Sequence, residues 1–177
     1  MKKGIEIIHD IIISKAKPKE KVLILASTLK DGNYLEDLLV YYRQAKDPAK
    51  GTCLSALTEI AKENPEFVKD CLSFIIDQIS YKAPRVKWEA SETIAYVSKV
   101  FPEKAAKAIP SLMENSKEEG TVVRWSAAFA LTEIAKNNPA THKELIPYIQ
   151  EMIETEKENG VRNVYVKALK ILQKGKK

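Results

Sequence analysis

Glycine is scarce in this chain, at 6 of 177 residues, and proline little less so, at 8. Linker-like and low-complexity chains carry far more of both. Here 45% of residues are apolar and 30% carry charges of mixed sign, which excludes disorder and suits one domain or a short repeat array with a real core. Cysteine and histidine are nearly absent: Cys53, Cys71, His9 and His142 are all there are. They form no CxxC, HxxxH or Cys/His cluster, so no metal site is expected and a disulfide framework is excluded. Two cysteines in a chain this size suit a reducing cytoplasm, the expected location. No apolar run approaches the roughly 18 residues of a membrane span. The opening MKKGIEIIHDIIISK looks briefly like a signal peptide, but Glu6, His9 and Asp10 break its apolar run and no small-residue cleavage site follows.

Catalytic signatures are missing too. There is no GxxxxGK[ST], GxGxxG or GxSxG. His142 reads as an exposed residue in the first turn of a helix, and the carboxylates lie beside lysines as on solvated helix faces. The expectation is a non-enzyme without cofactor. Lys plus Arg is 29 against 24 Asp plus Glu, a net +5, and 25 of those bases are Lys. That is a mildly basic surface, not a polybasic one.

What is present is a repeat. AKGTCLSALTEIAKENP from Ala49, VKWEASETIAYVSKVFP from Val86 and VRWSAAFALTEIAKNNP from Val123 superimpose without gaps at a spacing of 37. Pro65, Pro102 and Pro139 share one register; Leu57, Ile94 and Leu131 share another, and Cys53, Ala90 and Ala127 a third. A further copy, VRNVYVKALKIL from Val161, fits after one extra residue. Upstream, Leu35, Leu38 and Leu39 match Leu72, Ile75 and Ile76.

Each unit reads as two helices. Proline in the first turn loses no hydrogen bond, so Pro65, Pro102 and Pro139 each start a helix. The second helices start near Pro48, Pro84, Thr121 and Gly160. No two-residue alternation of β-branched residues appears, so strands are not expected, and nine or ten short helices fill the chain. Projected at 100° per residue, Val123, Ala127, Ala130, Leu131 and Ile134 form an inward stripe, with Trp125, Phe129, Thr132, Glu133 and Lys136 opposite. One repeat earlier, Val86, Ala90, Thr93, Ile94 and Val97 point inward, and Trp88, Glu92, Tyr96 and Lys99 outward. Cys53 fills the slot of Ala90 and Ala127, which reads as a buried small apolar residue that lets helix axes approach to about 8–10 Å.

AIPSLMENSKEEGTVVRWSAAFALTEIA, residues 108–135, resembles the HEAT-repeat pattern of the HEAT/armadillo-like α-solenoids. It has a first helix with Pro and Leu, an acidic turn, then Val-Arg and AAxAL. The other copies match less fully, and the resemblance covers residues 33–173. It implies an all-α, right-handed α-α superhelix of four to five helix pairs in one domain. Residues 1–32 would be degenerate capping helices, 33–64, 65–101, 102–138 and 139–173 the repeat units, and 174–177 a basic tail. In the family the Arg of Val-Arg reaches the acidic turn and stitches repeats together. The resemblance therefore implies that role for Arg124 and Arg162, and for Lys87 or the displaced Arg85; the alternative is that these are ordinary exposed bases.

Second helices line the groove of such a solenoid, which would set Trp88 and Trp125, with Tyr96, Phe129, Glu92 and Glu133, toward a partner. Aromatic anchors among charged neighbours suit a protein-binding hot spot. The other possibility is that each Trp lies flat across the neighbouring helix. The leading expectation is a scaffold binding a protein partner. The alternative is a nucleic-acid binder like the HEAT-like glycosylases of alkylated DNA. The mixed run of Glu59, Glu92 and Glu133 with Lys62, Lys99 and Lys136 disfavours phosphate tracking. A bilin-lyase-type protein ranks last. Ile5, Ile7, Ile8, Ile11, Ile12 and Ile13 nearly surround the first helix, so neighbouring helices or another subunit should cover it, and a homodimer through it is one expectation.

Overall fold

The computed structural model describes the backbone of residues 2–174 and the side chains of residues 4–174. Residues 175–177 of the expected basic tail lie outside them. The chain is 83% helical, with no strand among the described residues, as expected of an all-α helical-repeat protein. It divides into two compact units, Met1–Val68 and Lys69–Lys177.

The N-terminal unit contains α1 (Lys2–Ile13), α2 (Pro18–Gly32), α3 (Leu35–Gln44) and α4 (Asp47–Glu63). Pro18 and Pro48 sit in first turns, where the missing N–H costs nothing. Asn33 ends α2 in the left-handed region at φ 52°, which a short amide side chain tolerates. Gly4 lets α1 lie against α3, because a Cβ there would fall 2.3 Å from Asp37 Oδ2 and 2.8 Å from the Tyr34 ring. Ile8 is fully buried, Ile5, Ile7, Ile11 and Ile12 are half-buried, and Glu6, His9 and Asp10 make an exposed polar crest. The isoleucines thus form a wide seat on α2 and α3 rather than a helix apolar all round. In α4 every residue from Gly51 to Thr58 is buried.

The C-terminal unit follows a 3-10 segment, Pro65–Cys71, within which the boundary falls. Three inner helices, α6 (Pro84–Val97), α9 (Thr121–Asn137) and α11 (Asn159–Lys174), pack side by side in that order. Outside them lie α5 (Leu72–Gln78), which packs on α6; α7 (Pro102–Ala106) and α8 (Ile109–Asn115), which pack on α9; and α10 (His142–Thr155), which packs on α11. The small residues fall at the contacts: Ala90, Ala127 and Ala130 are fully buried, as is Cys53 in the N-terminal unit. The inward stripes of α6 and α9 are buried at every position named from the sequence.

The described residues form eleven α-helices rather than nine or ten, because the outer helices are broken. Pro110 starts α8 afresh after α7. Pro65 and Pro139 begin 3-10 turns, not α-helices; at the second, the Asn138 side chain accepts a hydrogen bond from the Ala140 N–H at 3.1 Å and holds the turn tight. Two side chains depart from expectation. Thr132 is buried, since its hydroxyl donates to the Phe129 carbonyl (3.0 Å) and leaves its methyl to pack. His142 is half-buried, because the 3-10 turn folds it back until its Nε2 lies 2.7 Å from the Ala135 carbonyl.

Candidate functional site

The open side of α6 and α9 gathers aromatics by helical spacing. Trp125 and Phe129, one turn apart on α9, have ring centroids 5.4 Å apart at 32°. Phe129 meets Tyr96 of α6 edge-on, at 5.5 Å and 74°. Such tilted and edge-on contacts are each worth about 0.5–1.5 kcal/mol beyond area burial, so the three rings support one another. Trp125 stays 38% exposed. Trp88, its counterpart 37 residues earlier, is half-buried, and among the described residues it joins no ring contact. Equivalent slots therefore produce one built aromatic cluster, not a ladder of two indoles.

Beside Trp125 lies a cleft of about 230 Å³ between the first turns of α9 and α11, lined by Thr121, Val122, Trp125, Glu158, Gly160 and Val161. Val122 is 50% exposed at its edge. A Cβ at Gly160 would meet nothing within 4 Å, so the cleft is open on that side. Further along α9, Glu133 pairs with Lys136 in the next turn, both half-buried. Glu92 is half-buried on α6.

Arg124, in the first turn of α9, reaches the turns between helices with its side chain. Its Nε donates to Glu156 Oε2 (2.9 Å), and its Nη2 lies 3.4 Å from Glu156 Oε1. Its Nη1 donates to the carbonyls of Glu118 (2.9 Å) and Glu119 (2.7 Å) in the acidic turn. Burial pushes the Glu156 carboxyl up, but hydrogen bonds from the Glu158 N–H (2.8 Å) and from Arg124 outweigh it and hold the group below the usual carboxylate range. One repeat earlier Lys87 pairs with Glu118 and lies 3.5 Å from Asn115 Oδ1. Arg162, at the same slot of α11, donates to Asn159 Oδ1 within its own first turn. Glu118 and Glu156 were not singled out from the sequence, although they stand 38 residues apart, as Lys87 and Arg124 stand 37 apart, so the pair recurs with the repeat. Tyr165 is another omission. It is fully buried, and burial, followed by Tyr148 and Glu156, pushes its hydroxyl well above the usual range.

Neither thiol suits nucleophilic work: burial pushes Cys53 and Cys71 up to about 12. Among the described residues no three His, Cys, Asp or Glu side chains gather as a metal site would require, and no helix is long and apolar enough to cross a membrane.

No protein-family model matches this chain, and no curated protein does. Solved structures do. A designed armadillo repeat protein in complex with the peptide (KR)4 is similar over 96% of this chain and 80% of its own, with TM-score 0.74 and 18% identity. An engineered protein gives TM-score 0.74 at 19% identity, covering 95% of this chain and 80% of that one. Computationally designed armadillo repeat proteins for modular peptide recognition give 0.69 at 17%, covering 92% and 79%. At these identities the likeness is one of fold, an armadillo-like helical-repeat solenoid.

Proposed function

We propose that this protein is a non-enzymatic scaffold that holds an extended segment of a protein partner against the inner helices of its C-terminal unit. The observation that carries the reading is the Tyr96–Phe129–Trp125 cluster, built across two repeats and left open beside the 230 Å³ cleft. An exposed indole on a rigid helix, with an apolar recess for one side chain next to it, is the anchor-and-pocket arrangement of binding hot spots. Glu92, Glu133 and Trp88 flank it and would orient the segment. One structural neighbour is held in complex with the peptide (KR)4 and others were designed for modular peptide recognition, and a shared fold lends the reading support. In the same proposal the HEAT-like units 65–101, 102–138 and 139–173 are joined by the cations Lys87 and Arg124, whereas Arg162 turns to its own helix start. The two buried thiols, neither in a disulfide, suit a reducing compartment such as the cytoplasm.

Selection of displayed random peptides on the purified chain tests this reading. Peptides enriched on the wild type should lose about thirtyfold in affinity with Trp125→Ala, a hot-spot loss of about 2 kcal/mol, while the melting temperature falls by only about 2–6 °C as the Phe129 ring contact is lost. Gly160→Leu, which would grow into open space, should block the same peptides. Failure to enrich any peptide, or enrichment indifferent to both changes, overturns the reading. Tight DNA binding with a steep salt slope would favour the nucleic-acid alternative instead.

A further inference from the structure

The N-terminal unit has its own concave feature, which peptide binding leaves unused. A cleft of about 650 Å³ opens between α1 and the α3–α4 junction, within the range of roughly 300–1,000 Å³ typical of small-molecule sites. Aliphatic chains dominate its lining: Ile5, Ile12, Ile13 and Val40, with Tyr41 and Ala49. Ile13 is 63% and Val40 39% exposed, so apolar surface stands open to water at the site.

The polar part of the lining is small and one-sided. It consists of His9, Gln44 and Lys46 beside the Tyr41 hydroxyl, and no carboxylate lines the cleft. The His9 ring leans on Tyr41, with centroids 6.1 Å apart. Lys46 caps the start of α4 with its backbone, and among the described residues its ammonium joins no ion pair. Lys46 is exposed and its ammonium is solvated, so an uncharged occupant gains nothing from it, a cationic one is repelled, and an anionic one gains an ion pair. A second copy paired symmetrically across α1 would bring the Glu6 and Asp10 crests of both chains together, like charge against like. A small molecule with an aliphatic body and one anionic head meets both demands, burying its tail among the isoleucines and its charge at Lys46.

We propose that the cleft between α1 and the α3–α4 junction binds an amphipathic anion, a medium-chain aliphatic carboxylate. The site is independent of the aromatic cluster on α9 and stands or falls separately.

Titration of the full chain with decanoate, followed by the methyl NMR signals of its isoleucines, tests it. Saturable shifts confined to Ile5, Ile12 and Ile13 are expected, with decanol binding clearly more weakly. Lys46→Glu should weaken decanoate about tenfold and leave decanol unchanged, since an attraction is replaced by a repulsion. Val40→Glu, at a position 39% exposed, should weaken decanoate as well, with the helical circular dichroism signal kept. Equal affinity for decanol and decanoate, shifts spread over Leu23 and Ile24 as for a surfactant, or indifference to Lys46→Glu would each overturn the proposal. So would decanoate-insensitive dimerisation through α1 in sedimentation, which would make the cleft an interface between copies.

Discussion

The two units of the chain use one slot differently. Lys50, Lys87, Arg124 and Arg162 stand 37, 37 and 38 residues apart, a cation in every copy of the inner helix. In the C-terminal unit Lys87 and Arg124 reach carboxylates of the following acidic turns, Glu118 and Glu156. In the N-terminal unit Lys50 lies over the Tyr42 ring, 4.8 Å from its centroid. The slot keeps the charge while the local chain supplies its surroundings: carboxylates for Lys87 and Arg124, the Asn159 amide for Arg162, and an aromatic face among the contacts of Lys50. The same contrast runs through the surfaces. Regular repeats close their turns with polar bonds, whereas the degenerate unit leaves isoleucine-lined clefts open beside α1.

Several substitutions would test how far that contrast goes. Arg124→Ala should be the most damaging, because it strands the buried Glu156 carboxylate and frees two carbonyls; a loss of about 3 kcal/mol is expected in urea unfolding. A loss under about 1 kcal/mol would reduce this contact to an ordinary surface pair. That effect should depend on pH in a defined sense. The fold lowers the Glu156 pKa, so its contribution is present above the usual carboxylate value of about 4.3 and is lost as the pH falls through the lower folded value. The gap between wild type and Arg124→Ala should therefore narrow on acidification, and a constant gap from pH 7 to pH 3 would contradict the assignment. Lys87→Ala removes a half-exposed pair and should cost only about 0.5–1 kcal/mol. Smallest of all should be Cys53→Ala, within about 1 kcal/mol, since alanine already fills that slot in the next two repeats. A larger loss would show that the N-terminal unit packs its slot differently. In the folded wild type neither thiol should react with a thiol reagent until the chain unfolds, because burial holds both near 12.

Much of the architecture could be read before any coordinates. The start of each inner helix, the buried stripes and the small-residue slot repeat locally, and local repetition survives in a string of letters. The outer helices were less legible: their prolines mark starts correctly in position, but only Pro102 in type, and at Pro139 the Asn138 side chain favours a 3-10 turn. At the candidate site, the outward placement of Trp125 and Phe129 followed from helical angle alone. That Trp125 would join Phe129 and Tyr96 while Trp88 would not did not follow, because it depends on which rings neighbouring helices bring within about 5.5 Å.

Amino-acid order was thus sufficient for helices, their period and the side each residue faces, since these follow from backbone geometry and spacing within one or two turns. The carboxylate partners of Lys87 and Arg124, the pairing of rings across α6 and α9, and the clefts beside α1 and α11 arose only when helices distant in sequence were packed. They depend on distances of a few ångströms between side chains some 30 residues apart, which no local pattern encodes.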